Sequence, residues 1–334
     1  MGGVKLLDNN ENRNEMTLAE KTAAFNKNFF DSVMESFKQQ YEMHQNREAL
    51  LPPEVQERLD KIRARIPESA RLPVLMPGKP LLNLLKERYN EQQQLKLMKY
   101  MTRVQDRASQ KMLDDESFAK LFLDKDEFKA VILSLDIRRS TELMLKAESP
   151  QLYAEFINAI TNELTESVKN RFGIYDKFTG DGLLAFFPDF YSGDKAILYA
   201  LQCADDCQKI FEAIFSSYRN RFAIGDMVTG LGGGIDVGSV YKAGIELEYT
   251  VVGRPVVYAC RLSSAPAGHT YLTPLAQKEL LKMNCSAFTS NETQIEIKHE
   301  GAAKVFDVFP SSDSALETLV VEEPSWCNTI ALKN

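Results

Sequence analysis

Hydrophobic and polar positions along the chain fall into two textures. Between Thr17 and Phe37, the residues Leu18, Ala23, Phe25, Phe29, Phe30, Val33, Met34 and Phe37 recur at helical spacing and predict an amphipathic helix. The pair Pro52-Pro53 breaks the pattern. A second helix is predicted over Glu54–Ile66, followed by a Pro-rich connector, Pro73–Pro80. A third helical stretch runs from about Leu81 through Asn90–Tyr100 towards Leu113. Its Gln/Lys-rich part reads as a solvated surface helix rather than a dimerising coil, because its apolar positions do not sustain several heptads. The residues up to about Met16 are mostly polar, and Asp8–Glu15 is rich in Asn and Glu, so the tip is expected to be disordered.

After Phe118 short apolar runs take over. Residues 130–135, 183–187, 249–252, 270–272 and 304–309 read as strands. They alternate with helical patterns over Pro150–Phe172, Gly193–Ser217 and Pro274–Met283, and with a shorter one over Val256–Leu262. This alternation implies an α/β or α+β domain from roughly 120 to 310. The densest glycine run is Asp226–Gly238. There is no G-x-x-x-x-G-K-[ST] segment and no GxGxxG opening a helix, which excludes a P-loop and removes support for dinucleotide binding. The expected division is 1–118 as an N-terminal helical region, 119–310 as the main domain and 311–334 as a C-terminal tail without periodicity.

Composition narrows the function classes. The 334 residues carry 40 basic and 47 acidic side chains, a formal charge of −7, which argues against a broad nucleic-acid-binding surface. Five cysteines include Cys203 and Cys207, four apart on one helix face, without zinc-ligand spacing. The three histidines are too few for a histidine-based metal centre. No apolar run approaches the roughly 20 residues needed to span a bilayer. Position 6 is Leu, so the Met1-Gly2 start does not make a myristoylation motif. A cytoplasmic protein without direct membrane contact is expected.

Two aspartates carry the candidate chemistry. Asp136 ends the apolar run Ala130–Leu135, and Asp181 sits in the turn of Ile174–Phe187. A carboxylate at the end of a buried strand is costly unless paired, hydrogen-bonded or bound to a cation. Two of them on neighbouring strands suit Mg²⁺ or Mn²⁺ with substrate phosphates as further ligands. Singly, each has an ordinary reading, Asp136 as a strand–helix cap and Asp181 as a hairpin-turn residue beside Gly180 and Gly182.

Four segments in order give the pair a context. These are Asp136-Ile137, Lys177-Phe-Thr-Gly-Asp181, Gly234-Ile-Asp-Val-Gly238 and Glu248-Tyr-Thr-Val-Val-Gly-Arg-Pro-Val-Val-Tyr-Ala-Cys-Arg-Leu262. Over about 130 residues they resemble the catalytic domain of class III nucleotidyl cyclases: the first metal strand, the KxxGD hairpin turn, the GI-x-x-G strand and the Y-x-x-x-G-x-x-V-x-x-A-x-R-L segment. The run Asp136-Ile-Arg-Arg-Ser-Thr departs from the family's usual Asp-Ile-x-Gly-Phe-Thr. It looks more like the bacterial Pycsar cyclases, which make cyclic pyrimidine mononucleotides in anti-phage defence.

The resemblance implies an α+β, ferredoxin-like domain over 119–310, with a central, mostly antiparallel sheet flanked by helices. It implies two divalent cations, Mn²⁺ or Mg²⁺, held by Asp136, Asp181 and the carbonyl of Ile137. Arg261 would stabilise the pentavalent transition state; Lys304 or Lys298, with Lys304 preferred, would touch the terminal phosphate. Lys177 and Thr250 would read the base. The family's ribose-orienting asparagine falls on Val257, and its base-reading aspartate on Thr250. Lysine donates while threonine donates or accepts, a pair that fits uracil and also adenine. The expected reaction converts UTP, with CTP next, to the 3′,5′-cyclic monophosphate. An adenylate cyclase and a degenerate cyclase-like nucleotide sensor are the alternatives. Because the family's site is shared between two domains, one copy per chain implies a head-to-tail homodimer with composite sites. A separate cyclic-nucleotide-binding effector would read the product.

Overall fold

The structure is a computed structural model, and it describes residues 51–66, 85, 87–244, 250–297 and 301–330. Contacts group the chain into two units, 1–51 and 52–334, and the described helices and strands all belong to the second. The predicted helix at 17–37, the tip before it and the Pro-rich connector lie outside the described residues.

Helices α1 (Pro53–Arg63), α2 (Glu91–Met101), α3 (Asp106–Asp114) and α4 (Glu116–Asp124) precede the first strand. Sequence explains their limits. Pro53 occupies the first turn of α1, where no backbone donor is needed. Asn90 and Gln93 close a reciprocal capping box at the start of α2. The single stretch expected from 81 to 113 is broken at 102–105, and its Gln/Lys-rich part is not a solvated helix. Gln94, Leu97, Met98, Tyr100 and Met101 of α2 are all buried, so this helix owes its place to packing along one face. The long Gln and Lys side chains mask that face in the sequence.

The main sheet is built from β1 (Glu127–Ile137), β2 (Ile174–Thr179), β3 (Gly182–Pro188), β4 (Leu231–Ala243), β5 (Thr250–Val252), β6 (Thr270–Leu272), β7 (Phe288–Ile297) and β8 (Gly301–Pro310). Its order is β2-β3-β1-β4-β6-β8-β7, with β5 pairing β4. Among the described residues only the β4–β6 pair is parallel. Between β1 and β2 lie α5 (Ser140–Lys146) and α6 (Pro150–Asn170); between β3 and β4 lie the short α7 (Asp189–Ser192) and α8 (Ala196–Tyr218). The β1-α-β2-β3-α-β4 order, with β4 and β3 flanking β1, is the ferredoxin-like α+β arrangement. The glycine run 231–238 forms most of β4.

Helices α6 and α8 cover one face of this sheet, over the buried residues Leu133, Leu135 and Ile235. The other face receives α9 (Arg254–Leu262), packed on β4 and β1. Glycines admit it: a Cβ at Gly234 would collide with the Ala259 carbonyl, and one at Gly232 with the carbonyls of Ser263 and Ala265. Asp236, fully buried on β4, ties this layer together. Its carboxylate accepts from the Val237 N–H and the Thr273 hydroxyl, and from Arg254 Nη1 at 3.1 Å. Thr273 also caps α10 (Pro274–Lys282).

The C-terminal segment departs most from expectation. After α11 (Asp313–Glu317), Trp326 is 8% exposed and its Nε1 donates to the Tyr191 carbonyl at 2.8 Å. Its ring stacks on Tyr191 and meets Phe118 of α4 and Phe172. Tyr199 of α8 donates to the Glu322 carbonyl, and Arg107 of α3 to that of Cys327. The segment is a strap joining α3 and α4 to the sheet layer. Trp326→Ala should therefore cost about 3–5 kcal/mol, as large-to-small core changes do. Guanidinium unfolding measures this; a midpoint within error of wild type would show that the strap contributes nothing to stability.

Candidate active site

Asp136 is the penultimate residue of β1, paired across to Gly182 of β3 and Gly232 of β4. Paired residues share a face, so Asp136 projects on the α9 side, as Gly232 does. Asp181 follows in the two-residue turn between Thr179 and Gly182. Gly180, at φ +75°, supplies the left-handed backbone that so tight a turn requires. A side chain at Gly182 would sit 3.6 Å from Asp136 Oδ1 and against the Leu135 carbonyl, so the glycine keeps the space between the aspartates open.

The backbone joins them. Arg138 N–H donates to the Gly230 carbonyl at 2.8 Å, while Leu231 and Gly233 bond towards the Gly268–His269 segment on their other edge. Hydrogen-bonding direction alternates along an antiparallel strand. The carbonyl of Ile137 therefore turns away from β4, towards the β2–β3 turn that holds Asp181. The two aspartates thus stand at neighbouring strand ends, with this carbonyl turned to the same edge of β1.

The two carboxylates act on one another. Burial pushes the Asp136 carboxyl above its ordinary range and the charge of Asp181 pushes it further, while Arg138 pulls it back. Arg138 Nη1 lies 2.7 Å from Asp136 Oδ2. Burial and the Asp181 charge also raise the phenol of Tyr153 on α6. Sequence alone assigns no role to Arg138 or Tyr153. A doublet of arginines after the strand is visible there, but only the fold shows which of them turns inward. Arg139, left-handed at φ 62°, pairs instead with Glu142. Among the described residues there is no group of three or more His, Cys, Asp or Glu side chains placed for a metal. The donor set suits Mg²⁺ or Mn²⁺ if substrate phosphates and water complete the coordination.

A second cluster forms at the other end of β2. A bulge between Tyr175 and Lys177 makes Asp176 an extra residue and turns its side chain into the protein, where it is 1% exposed. Asp176 Oδ2 accepts the hydroxyl of Thr250 at 2.5 Å, and Oδ1 lies 3.5 Å from Arg103 Nη1. Burial raises the Asp176 carboxyl, opposed by Thr250, Arg103, Lys177 and Lys99. Cys260 of α9 belongs to the same cluster: burial raises its thiol, and Ser134, Lys177 and Asp176 act on it. Lys177 and Thr250, expected to read a base, are thus gathered round a carboxylate that nothing in the sequence singles out.

Arg261 lies on α9, on the flank shared with Tyr258, whose ring it approaches at 5.9 Å; Arg254 approaches the same ring at 4.2 Å. Val257 faces outward and is 47% exposed, where the family pattern has asparagine. Lys304 is not brought to this group. Val305 packs with Leu262 of α9, so Lys304, next in the strand, points to the opposite face, where it pairs with Glu292 at 2.6 Å. Lys298 lies outside the described residues.

No family model matches the sequence. A search of curated proteins returns no match. Solved structures do align. The adenylyl cyclase CyaB from P. aeruginosa is 22% identical, covering 56% of this chain and 96% of that one with a TM-score of 0.48. The guanylyl cyclase Cya2 is 20% identical, covering 55% and 92%, TM-score 0.47. The guanylate cyclase domain of RhGC from Catenaria anguillulae in complex with GTP is 18% identical, covering 56% and 100%, TM-score 0.44. Among the described residues no helix is long and apolar enough to cross a membrane.

The raised Asp136 carboxyl gives a stability test. A carboxyl raised on folding contributes stability that is present below its ordinary pKa and lost as pH rises through the raised value. At neutral pH the ionised group therefore weighs against the fold. In metal-free buffer Asp136→Asn should melt higher than wild type, with the gap narrowing on acidification. Mn²⁺ should raise the melting temperature of wild type and not of the variant. Equal Mn²⁺ shifts in both would remove Asp136 from the cation site.

Proposed function

We propose that the chain is a nucleotide cyclase. It converts a pyrimidine nucleoside triphosphate, UTP ahead of CTP, into the 3′,5′-cyclic monophosphate and pyrophosphate. What supports this is the placement of Asp136 and Asp181 at neighbouring strand ends, near enough for the charge of one to act on the other, with the Ile137 carbonyl turned to the same edge; such a donor set would suit divalent cations and a triphosphate. Two such cations, Mn²⁺ or Mg²⁺, would lower the pKa of the ribose 3′-hydroxyl and neutralise charge on the α-phosphate and leaving pyrophosphate. The residues of the chain then do the rest. Asp136 and Asp181 anchor the phosphate end, and Arg261 offers a planar guanidinium to the α-phosphate oxygens as charge builds. Lys177 and Thr250 hold the base. Lys304, the candidate for the terminal phosphate, pairs with Glu292 on the face opposite α9 within the single chain.

The active form in this proposal is a head-to-tail homodimer. Asp136 and Asp181 of one protomer face Arg261, Lys177 and Thr250 of its partner. Val252 and Val257 are both exposed and would supply apolar surface for it. Residues 119–310 are the catalytic domain, and the helical region before it supports the dimer or receives a signal. The cyclic product serves anti-phage defence by binding a separate effector. An adenylate cyclase is the second reading: the Thr250 hydroxyl hydrogen is given to Asp176, which leaves its oxygen to accept from an adenine amino group as well as from a pyrimidine N–H.

Purified protein incubated with Mn²⁺ and ATP, GTP, CTP or UTP should yield cyclic UMP by mass spectrometry. Cyclic AMP as sole product would replace the pyrimidine reading with the adenylate one, and no product with any nucleotide would leave a binding protein. Arg261→Ala should slow turnover about 10²–10³-fold, the usual loss for a preorganised charge. Mixing it with Asp136→Asn should restore part of the activity, since one of two mixed sites is intact. Mixed dimers without recovery would overturn the shared site.

A further inference from the structure

We infer that Asp176 is a positioning residue that fixes Thr250 as a hydrogen-bond acceptor, so that the site takes nucleobases presenting an N–H to that oxygen. This rests on the proposed cyclase reading. A carboxylate can only accept, and a threonine hydroxyl has a single hydrogen. In the 2.5 Å contact the hydrogen therefore lies between Thr250 Oγ1 and Asp176 Oδ2, and only lone pairs are left for a ligand. The arrangement is held from both sides. Asp176 is enclosed at 1% exposure by the bulge in β2, with Arg103 against its second oxygen. Arg103 comes from the break between α2 and α3, and its carbonyl accepts the Tyr175 N–H at 3.0 Å, which docks the break on β2.

Lys177, next along the strand, is exposed and donates only. Donor and acceptor side by side match a base edge that carries an acceptor beside an N–H. Uracil offers O4 and N3–H, guanine O6 and N1–H, cytosine N3 and the N4 amine, adenine N1 and the N6 amine, so a fixed order of donor and acceptor sorts the keto bases from the amino bases. A carbonyl oxygen facing Thr250 would set lone pair against lone pair. Without Asp176 the hydroxyl could rotate and serve either kind of group.

The test compares kcat/KM of wild type, Asp176→Asn, Thr250→Ser and Thr250→Val for UTP, CTP, ATP and GTP. For the best substrate it adds the analogue lacking the donor: N3-methyl-UTP, the triphosphate of pyrimidin-2-one riboside, or that of purine riboside. Wild type and Thr250→Ser should share one ranking and lose about tenfold on the analogue, the usual scale for one hydrogen bond. Thr250→Val and Asp176→Asn should reduce discrimination about tenfold and lose little on the analogue. An equal fall for every nucleotide in Asp176→Asn, with ranking kept, would reduce Asp176 to a structural role and overturn the inference. If Asp176→Asn does not fold, the valine and serine variants decide: equal rankings overturn it. If wild type makes no cyclic product, the cyclase reading fails, and rankings are read from calorimetric binding of the same triphosphates with Ca²⁺. There a ranking unchanged by Asp176→Asn overturns the inference, and a flattened one supports it.

Discussion

The close approach of α9 to the sheet is the constraint on which the candidate site depends. It is set by missing side chains: Gly232 and Gly234 leave helix backbone against strand backbone. Because β4 is hydrogen-bonded to β1 over eleven residue pairs, the helix is registered against Asp136 as well as against its own strand. Cys260 is thereby placed beside Ser134 on one flank and Arg261 beside Tyr258 on the other. Asp236 holds the N-terminal end of the helix through Arg254. A carboxylate that is fully buried is tolerated here because its oxygens accept from a backbone amide, a hydroxyl and a guanidinium.

Charge is handled in three different ways. Asp236 is neutralised within the fold. At the far side, Arg65 of the α1 end meets Asp205 and Asp206 of α8, and Asp206 also accepts from Arg171, a buried network that holds α1 against the domain. Such networks contribute more to where elements dock than to net stability, because desolvation offsets most of the attraction. Asp136 and Asp181 are the exception. Arg138 offsets their repulsion only in part, and the remainder is what a polyvalent ligand can relieve.

Legibility in the sequence follows the origin of each signal. Strands buried on both faces, such as 130–135 and 183–187, are plain as apolar runs, and both aspartates follow from their positions at the ends of such runs. β7 escapes notice because it reads Phe288-Thr-Ser-Asn-Glu-Thr-Gln-Ile-Glu-Ile297, a polar strand whose place comes from its long pairing with β8. α2 passes for a solvated helix because its buried stripe is diluted by Gln and Lys. Asp176 cannot be seen at all: only the bulge, which depends on pairing with β3, turns it inward beside Thr250. The place of Lys304 is hidden for the converse reason. Its strand is evident as an apolar run, but the face it occupies is decided by Val305 meeting Leu262.

The strap around Trp326 has a consequence for the order in which this molecule is made. It follows in the chain every element it clamps, from α3 and α4 to Tyr191 and Tyr199. During synthesis, at about 5–20 residues per second, those helices must wait beside the sheet with Phe118, Phe172 and Tyr191 uncapped until residue 326 has left the ribosome. Over that interval Phe118, Phe172 and Tyr191 lack the ring that packs on them in the folded chain.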